Sequence, residues 1–156
     1  MKYNLEVDAN YFQISVQDYY DSDFVGYELS ETSIKEQIAV GKNLFIILTV
    51  SERIVPLTLE ILDNKPVLNY EDWDHIVECG LNVVSGLISV DYAIKLVDCT
   101  FYLKLAKGNY GVLIGSKNLD SVENGGLDGD DSYHIFLWPE SKQVEKKVLK
   151  QWIDLK

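Results

Sequence analysis

The sequence predicts a mainly β chain: an antiparallel β-sandwich, one domain over residues 1–156, with a short C-terminal helix. Three observations carry this. Apolar and polar residues alternate with a period of two through much of the chain, which places every second side chain on one face of a strand. The apolar runs are short and divided by Gly, Asn, Asp and Pro, the pattern of many strands joined by turns. Hydrophobic residues make up 47% and charged residues 25% of 156 residues, values of a folded chain long enough for one core without staples.

The elements follow in order. Phe12, Ile14 and Val16 alternate with Gln13, Ser15 and Gln17, which predicts a half-buried strand. Asn43 to Val50 is largely apolar and rich in β-branched residues and suits a strand covered on both faces. Ile54 to Leu62 alternates again, with Pro56 inside it, which argues for a sheet edge or a bulge. Asp63-Asn64-Lys65-Pro66 has turn chemistry. A short helix or irregular turn is an option for 72–81. Leu87 to Val90 reads as a strand after Gly86. Thr100 to Leu105 and Tyr110 to Ile114 read as a hairpin about Lys107-Gly108-Asn109, because Gly beside Asn admits positive φ. Residues 118–132 hold three glycines and five carboxylates with no Lys or Arg, which predicts a solvated loop. Ser132 to Trp138 is a last strand closed by Pro139. Val144, Val148, Trp152 and Leu155 recur at helical spacing after Ser141, a fitting N-cap. Of the charged residues in 142–156, five are lysines, set against Glu145 and Asp154.

Charge narrows the partners. Against 14 Lys plus Arg stand 25 Asp plus Glu, a net charge of -11. Such a surface repels phosphate backbones and anionic lipid, so neither nucleic acid nor membrane is expected as a partner. The polarity of Met1 to Glu6 is not that of a secretion leader, and the longest apolar run, Leu44 to Leu48, is far below the roughly 20 residues of a membrane helix. Cys79 and Cys99 are too few for a disulfide framework and read as reduced, buried thiols, which suggests the cytoplasm.

Candidate chemistry is sparse. The two histidines, His75 and His134, lack an accompanying nucleophile elbow, phosphate loop or zinc-binding pair. His75 and Cys79 stand four apart, which on a helix would aim both at one metal with His134 completing the set. The plainer reading hydrogen-bonds His75 in a corner of the sheet and packs Cys79 as a small apolar residue. No cofactor, metal or catalytic set is therefore expected. Two acidic clusters remain. Asp18-Tyr19-Tyr20-Asp21-Ser22-Asp23 interleaves carboxylates with tyrosines, which suits recognition of a basic protein surface. Asp128, Asp130 and Asp131 lie in the glycine-bearing loop, whose ligand spacing matches no calcium-loop rule.

Several motifs carry a resemblance. Trp73-Asp74-His75-Ile76-Val77-Glu78, Gly86-Leu87-Ile88-Ser89-Val90, Lys107-Gly108-Asn109-Tyr110 and Asp131 to Pro139 resemble a widespread bacterial family of small β-sandwich proteins with a Trp-Asp-His segment and a terminal Leu-Trp-Pro. More distantly, Tyr11, Gln13 and Val16, Gly80 with Gly86, Ile88 and Ser89, and the 107–110 segment are similar to the competence protein J family, inhibitors of a DNA-entry nuclease. In this frame Trp73, Trp138 and Tyr110 would fill the space between sheets, and Gly80, Gly86 and Gly108 would serve bends. Taken with the acidic charge and the sparse catalytic machinery, the resemblance implies a non-enzymatic immunity or inhibitor-type protein that blocks a basic partner, a nuclease toxin being the fitting class. The expected contacts come from the two acidic clusters and not from the resemblance: Asp18, Tyr19, Tyr20, Asp21, Asp23, Asp128, Asp130 and Asp131. The alternatives are a calcium- or carbohydrate-binding module using Asp128, Asp130 and Asp131, and a hydrolase built on the two histidines.

Overall fold

Alternating polarity is realised as two β-sheets. The computed structural model describes residues 1–21, 29–91 and 101–155. In chain order the strands are β1 (Lys2–Asp8), β2 (Gln13–Asp18), β3 (Ile38–Gly41), β4 (Leu44–Leu48), β5 (Ile54–Ile61), β6 (His75–Val83), β7 (Leu87–Asp91), β8 (Phe101–Lys104), β9 (Gly108–Lys117), β10 (Ser132–Glu140) and β11 (Lys147–Lys150). A short helix, α1 (Glu31–Glu36), lies between β2 and β3. The larger sheet runs β1-β5-β10-β9-β6-β11 and the smaller β3-β4-β2-β7-β8. Neighbours are antiparallel except β5 and β10, which run parallel, with Leu57 beside Tyr133 and Ile61 beside Leu137.

The sheets share a core. Ile14, Val16, Phe45, Ile47, Ile88 and Val90 of the smaller sheet join Leu57, Val77, Cys79, Val112, Ile114 and Ile135 of the larger in one buried cluster. Each large aliphatic side chain buried this way contributes about 1.5–3 kcal/mol before chain entropy is counted. The opposite faces are covered as well. Ala39, Leu44, Ile46 and Leu48 form a second cluster, and Ile76, Leu113, Phe136 and Trp138 a third. On β2, Gln13, Ser15 and Gln17 are buried alongside Ile14 and Val16, so this strand is enclosed rather than half-buried.

Other local expectations are corrected as well. The C-terminal segment is strand, not helix: β11 pairs with β6, Val148 opposite Val77. A spacing of four is also a multiple of two, so Val144, Val148 and Trp152 satisfy a strand equally well. Val148 then packs on the central core while Leu149 packs on the outer cluster, burial on two faces that an edge strand supplies. Residues 75–83 form β6 rather than a helix. The 101–104 and 108–117 segments are not a hairpin, because β8 pairs with β7 and β9 with β6 and β10. Gly108, at φ 144°, turns the chain from one sheet to the other. Pro139 does not close β10, which runs on to Glu140.

Pro56 sits in an interior strand, opposite Glu6 and one residue before the β10 ladder begins at Leu57. Its missing N–H therefore interrupts no pairing with β10. Tyr110 lies in the central core, its hydroxyl donating to the Ala106 carbonyl at 2.7 Å. Trp73 and Trp138 do not lie between the sheets: both cover the outer face of the larger one. Glycines in β9 make that possible. A Cβ at Gly111 would stand 2.3 Å from the Trp138 ring, and one at Gly115 2.4 Å from Trp73. Gly80 likewise serves close approach rather than a bend, since a Cβ there would meet the Val144 carbonyl oxygen at 2.7 Å. Among the described residues no helix is long and apolar enough to cross a membrane.

Candidate functional site

The two acidic segments are built alike, each around one buried carboxylate. Asp18 is fully buried at the end of β2. Its Oδ1 accepts the N–H groups of Tyr20 and Asp21 at 3.1 and 2.9 Å, and its Oδ2 those of Val84 and Ser85 at 2.7 and 2.8 Å. Burial raises its pKa, but the hydrogen bonds from Ser85, Val84 and Asp21 outweigh burial and leave it below the ordinary value. Around this anchor Tyr19 meets Tyr20 and Tyr102 edge-on, with ring centroids 4.7 and 5.1 Å apart. Tyr20 and Asp21 face solvent. Asp23 lies outside the described residues.

Asp131 is the second anchor, also fully buried. Its Oδ1 accepts from the Ser51 hydroxyl at 2.7 Å and Arg53 at 2.6 Å, and its Oδ2 accepts from the Tyr133 hydroxyl at 2.8 Å. Tyr133 in turn accepts the Val50 N–H at 3.1 Å. The network ties the 118–131 loop to the β4–β5 connection and leaves Asp128 and Asp130 exposed. Within the loop the backbones of Glu123 and Asp128 bond to each other. The structure does not unite the two acidic segments. Asp18 ends β2, whereas Gly126 packs on Phe12 just before that strand begins, and six strand residues separate those ends by roughly 17 Å.

The histidines are separated too. On the larger sheet His75 lies in register with Ser116 and Tyr133, whereas His134 lies in register with Gly115 and Ile76. Alternation puts them on opposite faces. His75 is buried, with its Nε2 2.7 Å from the Glu36 carbonyl and its Nδ1 accepting the Trp152 N–H at 3.1 Å. Both bonds are satisfied only by the neutral ring carrying its proton on Nε2. Burial lowers its pKa, against a smaller opposing effect of Glu36. His134 stacks on Phe136, centroids 4.0 Å apart, beside Trp73. Cys79 is buried in the core, which pushes its thiol pKa far up; Cys99 lies outside the described residues. Among the described residues no group of three or more His, Cys, Asp or Glu is placed to hold a metal ion.

A feature absent from the sequence reading stands at the Phe12 end. There, α1, the entry to β2, the acidic loop and the segment after β11 enclose a cleft of about 870 Å³. Tyr11, Phe12, Gln37 and Trp152 line it. Tyr11, Phe12 and Gln37 hold left-handed backbone at φ 56°, 59° and 59°, and every other described non-glycine residue in that region is Asn. Bulky residues rarely adopt this conformation without surrounding structure that enforces it. Gln13 and Gln37, 9% and 5% exposed, also line the cleft, and the side-chain oxygen of each has no hydrogen-bond partner. Trp152 is fixed by His75 and by its indole N–H, which donates to Asp120 at 3.0 Å. Adjacent aromatics at 11–12 were the available sequence signal. The remaining residues come from distant segments.

Comparison with known proteins places the fold. No family model matches the chain, and no curated protein matches it. Among solved structures it is similar to ComJ, inhibitor of the DNA degrading activity of NucA, from Bacillus subtilis. That match has a TM-score of 0.66 and 13% identity over 90% of this chain and 96% of that one. It is also similar to crocagin biosynthetic gene J, with a TM-score of 0.52 and 16% identity over 89% of this chain and 96% of that one. At these identities the likeness is one of fold, shared along nearly the whole length.

Proposed function

We propose that the chain is an inhibitor-type protein that binds a basic partner, a nuclease by class, in the cytoplasm and blocks it without chemistry of its own. The observation that carries this reading is the fold it shares with an inhibitor of a DNA-degrading activity. A net charge of -11 supports it, because a nuclease that grips phosphates presents cations to which carboxylates are complementary. Exposed Asp128 and Asp130 at one end, and Asp21 with Tyr19 and Tyr20 at the other, are the proposed contacts, with Asp23 beside them in sequence. Asp18 and Asp131, spent on internal bonds, hold those segments in shape.

The test is direct association and inhibition measured against basic nucleases from the native source, at low and moderate salt. Binding should quicken at low ionic strength and fade as salt rises, because exposed charges are screened within about 10 Å at 0.1 M. Asp128→Asn with Asp130→Asn should slow association. Failure of every basic nuclease to bind at either salt concentration overturns the reading.

A further inference from the structure

We infer that the free edge of β1 is a self-pairing surface, through which two copies of the chain join antiparallel about Leu5 into one continuous sheet. Among the described residues the larger sheet ends in β1 and β11, the smaller in β3 and β8. β3, β8 and β11 are four residues each, and β11 is broken by a register shift between Val148 and Lys150. Short or bulged strands are how sheet edges are kept from pairing. β1 has neither device. It runs seven residues in unbroken register with β5 and contains no proline. Among the described residues no strand pairs with its other side.

The hydrogen bonds fix which backbone groups are free. The Met1 amine donates to the Ile61 carbonyl at 3.0 Å and the Met1 carbonyl accepts the Ile61 N–H at 2.8 Å, while the Ala9 N–H donates to the Arg53 carbonyl at 2.9 Å. In an antiparallel ladder only every second residue bonds to a given neighbour. The odd positions therefore face β5, and the N–H and C=O groups of Lys2, Asn4, Glu6 and Asp8 face outward. Setting Leu5 across from Leu5 of a second copy places Lys2 opposite Asp8 and Asn4 opposite Glu6, on both sides of a two-fold axis. In that register every outward group finds a partner. The side chains agree with the backbone. Lys2 and Asp8 are exposed, and neither is ion-paired among the described residues; facing one another they supply opposite charges. Sliding by two residues either leaves Asp8 without a partner or sets Glu6 against Glu6. On the inner side, half-buried Tyr3 and Leu5 pack on the central core. They would meet Val7 and Leu5 of the second copy and carry that core across the joint.

The experiment is analytical sedimentation of the full chain over about 0.02–1 mM at about 0.15 M salt, which screens the repulsion between two chains of net charge -11. A joint this small should give a weak dimer, populated toward the upper end of that range. Lys2→Glu and Asp8→Lys should each weaken it about tenfold, because either sets like charges opposite one another at two places. Mixed in equal amounts, the two variants should pair with each other, since each supplies the charge the other has lost. Asn4→Pro deletes an outward N–H and leaves the β5 ladder intact, so it should abolish the dimer while moving the melting temperature little. Amide exchange reads the register. The N–H groups of Asn4, Glu6 and Asp8 should slow as concentration rises, while those of Tyr3, Leu5 and Val7 stay slow throughout. A chain still monomeric at about 1 mM overturns the proposal. So does a dimer that survives Asn4→Pro, or one whose two charge variants fail to pair when mixed. If Asn4→Pro does not fold, the mixing result decides alone.

Discussion

The two acidic segments look alike in sequence and differ in how they hold their central charge. Asp131 is neutralised by a cation, Arg53, and two hydroxyls. Asp18 is held by four backbone N–H groups. The first is an ion-pair network joining two loops; the second is a turn folded around an anion. Acidity in a sequence therefore mixes two uses of a carboxylate: some aspartates shape the backbone from within, and their neighbours project from the shape so made.

Removing each anchor measures that difference. Asp131→Ala strands a half-buried guanidinium and two polar partners, and should cost about 3 kcal/mol, the lower end for a broken buried pair, read by urea unfolding. Asp18→Asn keeps one acceptor oxygen and turns an NH₂ toward the other two N–H groups, for a loss of about 2 kcal/mol. Because Asp18 has a lowered pKa in the folded chain, its contribution is complete above the unfolded value of 3.8 and is lost as pH falls through the lower folded one. In Asp18→Asn that part of the acid dependence should vanish. If both variants unfold alike at every pH, the contrast between the anchors fails.

His75 adds a separate, milder window. Its folded pKa lies below 6.5, so the unfolded chain takes up the proton first, and stability should decline as pH drops from about 6.5 toward the folded value. His134 is lowered as well, chiefly by burial, so the comparison is wild type against His75→Gln with His134 kept. The variant should show a flatter profile between pH 7.5 and 5.5. Smallest of all, Asp128→Asn and Asp130→Asn should change stability by no more than about 0.5 kcal/mol, in contrast to their buried neighbour Asp131.

Much of the strand content was legible because burial on one face leaves a period of two. The cores of β2, β4, β5, β7, β9 and β10 fall on the alternating or apolar runs. Where reading failed, the cause was a spacing common to both kinds of element. His75 with Cys79, and Val144 with Val148 and Trp152, are four apart, which suits a helix face and a strand face alike. The hairpin at 107–109 failed for another reason: a tight turn signals a change of direction, not which sheet receives the next strand. Beyond the adjacent aromatics Tyr11 and Phe12, the cleft was not legible, since Phe12, Gln37, Glu123 and Trp152 meet only after both sheets are closed.

The parallel pairing of β5 with β10 has a consequence for biogenesis. While the polypeptide leaves the ribosome, β1 and β5 can zip together early, yet the far side of β5 stays bare until residues 133–137 emerge. Strand rims left open this way invite pairing with other nascent chains, and joining segments so remote in sequence is intrinsically slow. Folding yield of this protein should therefore be limited by the arrival of its last quarter.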